Sequence, residues 1–534
     1  MLAVRFPRLA CPRLMQLKLL AESIPVREIL GSLDREIDGI FYDSRRVQKN
    51  GLYVAMRGAH VDGHQFTDQA IERGAAAIVV ERPESHTRAT ALVVPDSRAA
   101  LADLAFTFFK KPALRLKMAG VTGTNGKTTT TFLIKHILES AAMPSGLIGT
   151  VRYEIAGRIL PATRTTPESL DLQEMLSQML NAGCKAAVME VSSHALAQDR
   201  VRGLEWDVAV FTNLTQDHLD FHGTMSDYFE AKARLFTGLK EQVQKKNATA
   251  VINLDDPHGE QLVHRLSQSG HPERSRVTPV NNLKGSAAGS LDSARDDVRV
   301  VTYGHSPRAD FRASNYRAEF TGTSFQLDAR GKIYLVRVPL IGRFNVSNAM
   351  AALAAANSLG VGLREAILSL AKAPQVPGRL EAIPAKRQFQ IFVDYAHTND
   401  ALLNVLKTLR ELEPRRLIVV FGAGGDRDKQ KRPLMGRVAD QFADFSIVTS
   451  DNPRKEDPLA IIADVKKGFR STNYEAIPDR TEAITRAIAL AQPRDIILIA
   501  GKGHENYQEF ADHTIPFDDR QVALRALENR PLEF

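Results

Sequence analysis

Short apolar runs rich in β-branched residues alternate with segments of helical periodicity along most of this chain. Residues 51–56 and 76–80 read as strands and precede an amphipathic helix over 97–109, while the run 116–121 leads into a helical pattern carrying Phe132, Leu133, Ile137 and Leu138. Runs at 186–191, 208–212 and 248–253, and later at 390–393, 417–421, 445–449 and 496–500, repeat the theme. Strands spaced by helix-length segments mark parallel sheets covered by helices, so the expected fold class is α/β with several sheets.

At 534 residues the chain exceeds the length at which one hydrophobic core keeps growing. Three domains are expected: a small N-terminal α/β domain over 1–112, a central parallel-sheet domain over 113–375 and a C-terminal Rossmann-like domain over 376–534. The first ends at Lys110-Lys111-Pro112, and the last opens near Val376-Pro377-Gly378. Between 264 and 295 Ser, Gly, Pro and Asn predominate without apolar periodicity, which reads as a flexible surface insertion without catalytic content.

Dense polar clusters recur just past the ends of the apolar runs, at 123–128, 192–194, 213–218, 394–397, 424–428, 451–454 and 501–505. Open parallel sheets bind ligands beyond the carboxyl ends of their strands, so these clusters are where chemistry is expected.

The formal charge of +8 comes from 70 basic against 62 acidic residues spread along the chain. With one Trp and no basic stripe, nucleic acid is not the expected partner, and a preference for anionic small molecules accounts for the balance. Cys11 and Cys184 allow no disulfide framework, which points to a reducing, cytoplasmic setting. No apolar run approaches the roughly eighteen residues of a membrane helix, so membrane insertion is not expected. The stretch up to Leu14 lacks the apolar core and cleavage site of a secretory peptide, and Met15 is an alternative start to Met1.

Gly120-Val121-Thr122-Gly123-Thr124-Asn125-Gly126-Lys127-Thr128-Thr129 follows a strand and opens a helix, the setting of a phosphate-binding loop. Glycines let backbone N–H groups close on phosphate oxygens, Lys127 brings a point charge, and Thr128 can ligate Mg²⁺. The spacing departs from the usual pattern, since Val121 stands at its first glycine. Phosphates bound as ATP require a divalent cation, for which Glu190 and His218 are candidate ligands. Taken singly, each also fits a solvated strand end or a helix cap.

Four clusters taken in order carry more weight: 123–128, Glu190-Val191-Ser192-Ser193-His194, Asn213-Leu214-Thr215-Gln216-Asp217-His218-Leu219-Asp220 and Gly342-Arg343-Phe344-Asn345-Val346-Ser347-Asn348. Their order resembles the Mur ligase family, over about residues 41–520. The resemblance implies an ATP-dependent, amide-forming and ADP-forming ligase that extends a UDP-N-acetylmuramoyl dipeptide through an acyl phosphate, as a cytoplasmic monomer. Gly123, Thr124, Asn125, Gly126, Lys127, Thr128 and Thr129 would hold ATP, with Asn345, Asn348, Arg379 and Asp394 touching the nucleotide. Thr128, Glu190 and His218 would bind Mg²⁺ together with Lys232, which matches the family lysine carboxylated by CO₂. Lys127, Lys232, His218 and Glu190 would be the catalytic set.

For the UDP-muramyl peptide the resemblance points to Ser44 within Asp43-Ser44-Arg45, to Ala59-His60-Val61, and to Thr165, Thr166, Ser192, Gln198 and Arg200. It also assigns UDP to the N-terminal domain and the amino acid to the C-terminal one. Asp451, Asn452, Pro453 and Arg454 resemble the signature of members that add meso-diaminopimelate, and Arg427, Gly501 and Glu505 complete that pocket. Diaminopimelate differs from lysine by a distal carboxylate that a guanidinium can grip with two parallel hydrogen bonds. The lysine-adding relative and a folylpolyglutamate synthetase-like ligase are the nearest rival readings. A non-catalytic phosphate-loop switch or a nucleic-acid-binding ATPase is the rival from another class.

Overall fold

The computed structural model describes residues 14–58, 61–83, 88–268, 298–385 and 387–530. Outside them lie the N-terminal stretch with Cys11, Ala59 and His60 of the second muramyl segment, and most of the 264–295 insertion. The start of that insertion departs from expectation, because residues 264–268 close a helix, Pro257–Gln268. Proline at its first position and apolar Leu262 packed on the core explain why it forms there. Among the described residues no helix is long and apolar enough to cross a membrane.

Two compact units divide the chain: Met1–Arg312 with Met350–Ala366, and Ala313–Ala349 with Ile367–Phe534. The first contains a two-stranded ladder, Met15–Gln16 with Glu36–Ile37, and two larger sheets. In the N-terminal one the strands lie in the order Glu28–Leu30, Thr90–Val93, Ala75–Val80, Gly51–Val54, Gly39–Phe41, all parallel except the first. The helix Ser97–Phe108 is capped by the Asp96 carboxylate, which accepts from the N–H groups of Arg98 and Ala99. It buries Leu101, Leu104 and Phe108 in one core with Leu52, Val79 and Leu92.

The central sheet of this unit runs Arg158–Pro161, Arg152–Ile155, Ser145–Ile148, Ala186–Glu190, Lys117–Thr122, Val208–Phe211, Thr249–Asn253, Arg299–Gly304. From Ser145–Ile148 onward the pairs are parallel, and a hairpin adds the two antiparallel edge strands. Strands covered on both faces are apolar throughout, which is why these runs lack polar alternation. Helices Lys127–Ser140, Ser169–Asn181 and Met225–Thr237 lie between successive strands and return the chain.

The second unit holds an antiparallel ladder, Gly322–Ala329 with Lys332–Val338, and a six-stranded sheet. Its order is Glu381–Ile383, Gln390–Asp394, Ile496–Ala500, Leu417–Phe421, Phe445–Val448, Tyr474–Ala476, with only the first strand antiparallel. Apolar cores cover both faces. Ile341 belongs to one of them, with Leu380 and Phe392, so Ala313–Ala349 groups with this unit although the sequence assigns it to the central domain.

Candidate active site

The 123–129 loop leaves the Lys117–Thr122 strand and enters the Lys127–Ser140 helix through two glycines with positive φ, Gly123 (148°) and Gly126 (86°). A Cβ on Gly123 would stand 1.9 Å from Thr212 Oγ1, so only glycine fits. The next strand end clamps the loop: Asn213 Oδ1 accepts from the Asn125 N–H at 2.9 Å, and its Nδ2 donates to Asn125 O at 3.1 Å. Thr212 Oγ1 donates to Asn125 O at 2.6 Å. Lys127 Nζ lies over the loop, donating to Gly123 O and Thr124 O at 3.0 and 2.8 Å. Thr128 and Thr129 are buried in the first turn of the helix. Fixed N–H groups at a helix N-terminus with a lysine beside them suit a polyphosphate.

Lys232 joins the same loop. Its side chain is buried, donates from Nζ to Gly123 O at 2.9 Å and sits 4.5 Å from the centroid of the Tyr228 ring. Burial, and then the neighbouring Lys127, push its pKa well below the usual lysine value, with Asp217 opposing. That favours the neutral, nucleophilic amine, the form that reacts with CO₂. A carbamate there would turn repulsion from Lys127 into attraction, so the position fits the modification.

Glu190, buried at the end of its strand, accepts from the Thr150 N–H at 2.8 Å and from Thr150 Oγ1 at 3.0 Å. His218 stacks edge-on against His194 with ring centroids 4.8 Å apart. Burial lowers the pKa of His218, and burial followed by the charges of His218 and Arg200 brings His194 down to about 4. Both imidazoles are therefore neutral near pH 7. Among the described residues no three or more His, Cys, Asp or Glu side chains group to hold a metal. The candidate donors are of mixed type, a carboxylate, a hydroxyl and a neutral imidazole. Thr122 Oγ1, immediately before the loop, is buried without a hydrogen-bond partner. An oxygen-rich set of this kind fits Mg²⁺, which keeps several waters and takes few protein ligands.

The muramyl-peptide candidates Thr165, Thr166, Ser192, Gln198 and Arg200 come together beside Glu190. Thr150 Oγ1 and Thr165 Oγ1 lie 3.0 Å apart. Thr166 Oγ1 donates to Glu190 O at 2.8 Å and accepts from the Ser192 N–H at 3.1 Å. Arg200 donates to Thr166 O at 3.1 Å and to Gln198 Oε1 at 2.6 Å. Ser44 lies apart in the N-terminal sheet, buried and donating to Gln69 Oε1 at 2.7 Å.

The remaining nucleotide candidates belong to the second unit. Asn345 donates to Ile341 O at 2.9 Å and accepts from Asn348 Nδ2 at 3.0 Å, both side chains being buried. Asp394 takes the N–H groups of Leu380 and Ala396 at 2.6 and 2.8 Å, with burial raising its pKa. The Arg379 guanidinium lies 4.8 Å from the centroid of the Tyr395 ring.

The amino-acid candidates also gather at strand ends of this unit. Arg454 donates from Nε to Glu509 at 2.9 Å and from Nη1 to Gly425 O at 2.8 Å. Asn452 donates to Glu505 at 2.9 Å, and a Cβ on Gly501 would meet Asp451 Oδ2 at 2.5 Å. The Gly425 N–H donates to Asn452 O at 2.9 Å, and Pro453 O leaves no room for a side chain at 425. Arg427 stays exposed, yet both it and Arg454 border Gly424.

Sequence reasoning passes over Glu509, the partner of Arg454, over Thr150 beneath Glu190, and over Lys502, wholly buried between Asn452 and Glu505. Only Lys502 carries a sequence signal, its position between two glycines three residues before Glu505.

Three family models match the chain: the Mur ligase family catalytic domain over 36–109, the Mur ligase middle domain over 121–277 and 280–356, and the Mur ligase glutamate ligase domain over 378–503. The UDP-N-acetylmuramoyl-L-alanyl-D-glutamate–2,6-diaminopimelate ligase of Halalkalibacterium halodurans is 46% identical over 496 residues, 93% of this chain and 95% of its own. Its namesake from Geobacillus thermodenitrificans is 43% identical over 519 residues, 97% of this chain and 100% of its own. A solved structure of a ligase of that name superposes with a TM-score of 0.67 at 34% identity, covering 95% of this chain and 98% of its own.

Proposed function

Because the chain belongs to the Mur ligase family, we propose that it is the ATP-dependent ligase of peptidoglycan synthesis that joins meso-2,6-diaminopimelate to UDP-N-acetylmuramoyl-L-alanyl-D-glutamate. The observation that carries the choice of amino acid is Arg454: a partly buried guanidinium, held by Glu509 and Gly425, beside the Asn452–Glu505 pair. A distal carboxylate pairs with the former and a distal ammonium with the latter.

A carboxylate and an amine do not condense unaided, because oxide would have to leave. The γ-carboxylate of the D-glutamyl residue attacks the γ-phosphorus of ATP, ADP departs, and an acyl phosphate remains. The diaminopimelate amine then adds to the acyl carbon, loses a proton, and phosphate leaves as the amide forms. Lys127 and the N–H groups of 123–129 hold the polyphosphate and offset the charge that develops on it. Thr165, Thr166, Ser192, Gln198 and Arg200 hold the muramyl dipeptide, with Ser44 toward its UDP end. Asn345, Asn348, Arg379 and Asp394 serve the nucleotide, and Arg427, Asp451, Asn452, Pro453, Arg454, Gly501 and Glu505 the amino acid.

Mg²⁺, with Thr128, Glu190, His218 and a carbamate on Lys232 as its protein ligands, would supply positive charge beside the transferred phosphoryl group. Domain limits at 112/113 and 375/376, a cytoplasmic location and a monomeric state complete the reading. The test is phosphate release by purified protein given ATP, Mg²⁺, the UDP-muramyl dipeptide and either diaminopimelate or lysine. A much higher kcat/KM with diaminopimelate than with lysine is the expected result, and equal turnover with lysine would refute the assignment.

A further inference from the structure

Lys502 has no role in the mechanism above, yet its side chain is completely buried in the loop just beyond the Ile496–Ala500 strand. An ammonium is costly to bury unless it is paired. Here Nζ donates to Asn452 Oδ1 at 2.9 Å and to Glu505 Oε2 at 3.1 Å. Asn452 closes the triangle, donating from Nδ2 to the same Oε2 at 2.9 Å. Both hydrogen bonds to the Glu505 side chain thus fall on one oxygen, which fixes the carboxylate and leaves Oε1 for another donor. Arg454 is matched in the same way by Glu509 at 2.9 Å, a second neutral pair beside the first.

On the reading of this pocket as the diaminopimelate site, we infer that Lys502 is a specificity-determining residue that selects the amino acid by net charge. Diaminopimelate with both ends ionised is neutral, whereas lysine carries one positive charge. A carboxylate already shared with a built-in ammonium gives a cation little extra attraction, and discrimination then rests on the distal carboxylate. Without that ammonium, Glu505 is an unmatched anion that draws cationic amino acids and loses its fixed orientation.

Steady-state kinetics with diaminopimelate and with lysine test this on the full-length protein. Lys502→Met lowers the diaminopimelate-to-lysine ratio of kcat/KM about tenfold or more, as expected for loss of one paired charge, and leaves KM for ATP within about twofold. Lys502→Met/Glu505→Gln, which restores neutrality, recovers part of that ratio even though overall activity is low. Should Lys502→Met fail to fold by thermal melting, Lys502→Gln carries the same prediction, since it deletes the charge and keeps a donor. A ratio that does not move while all KM values and the melting temperature shift together would overturn the inference. The unaltered protein runs in the same assay, so its failure to use diaminopimelate would refute the function, whereas an unmoved ratio refutes only the part given to Lys502.

Discussion

Arg454→Ala is the perturbation that most directly probes how the pocket reads its substrate. In the folded protein Arg454 spends its Nε–H on Glu509 and one Nη1–H on Gly425 O, which leaves the outer edge of the guanidinium to face a carboxylate with two parallel hydrogen bonds. Each charge-assisted hydrogen bond contributes about 1.5–3 kcal/mol. The side chain is 20% exposed, so water screens part of that gain, and a net loss of about 2–4 kcal/mol is expected, or roughly 30- to 1,000-fold in kcat/KM for diaminopimelate. Glu509 is 42% exposed and is resolvated on losing its partner, which adds little. Backbone strain does not confound the comparison: residue 454 has a φ of 52°, and alanine carries the same Cβ there as arginine. Arg454→Lys recovers only a fraction, because one ammonium cannot reach both Gly425 O and the substrate. Initial rates of phosphate release at varied diaminopimelate, at saturating ATP and UDP-muramyl dipeptide, give the number. An equal loss toward diaminopimelate and lysine would refute the reasoning, since lysine has no distal carboxylate to lose.

Four further outcomes are expected. Gly123→Ala places a Cβ 1.9 Å from Thr212 Oγ1 and 3.0 Å from the Asn213 backbone N, so KM for ATP rises; Thr212→Ala, which relieves only the first contact, restores part of it. Lys232→Ala abolishes turnover and short carboxylates added to the assay restore some of it; full activity of the variant at ambient CO₂ would exclude the carbamate. Asp519→Asn strips the partner from Arg480, a bidentate pair at 2.7 and 2.8 Å with both side chains fully buried, and urea melts should show a loss of about 3–5 kcal/mol that Arg480→Met/Asp519→Leu largely recovers. His194 titrates near 6.5 in the unfolded chain and near 4 in the folded one, so its contribution to stability is complete above about pH 6.5 and declines as pH falls toward 4. His194→Asn should flatten melting temperature against pH across that window.

The parallel strands were readable because burial on both faces removes polar alternation, and runs such as Ala186–Glu190 and Ile496–Ala500 have nowhere else to go. The antiparallel edges were not. Arg152–Ile155 and Arg158–Pro161 turn through Ala156 and Gly157, at φ 48° and 81°, and Gly322–Ala329 and Lys332–Val338 turn through Arg330 and Gly331, at 53° and 83°. Both tight turns hold a residue that seldom adopts positive φ, so the usual Asn-Gly signal is missing. Strand pieces of two or three residues, such as Glu28–Leu30, are too short to show any period.

The site divides along the same physical line. Backbone requirements are written locally: a glycine before a helix, or a polar cluster after an apolar run, is constrained by its own neighbours, and so the phosphate loop and the strand-end clusters could be located. Charge pairing is not local. Arg480 meets Asp519 across 39 residues and Arg454 meets Glu509 across 55, and nothing near either member marks it as buried. A charged side chain met in sequence is read as solvated, because most are. On the proposed reading these loops are exceptions because a substrate bearing several charges is recognised best by charges that do not relax when it arrives, and such charges must be held by others in the folded protein. Arg480 illustrates the consequence. Through Nη2 it holds Ala500 O, at 2.9 Å, while Asp519 holds the guanidinium, so the strand end that presents Gly501 and Lys502 is fixed by a fully buried pair. On the proposed reading of this pocket, selectivity depends on buried partners as much as on the residues that face the amino acid.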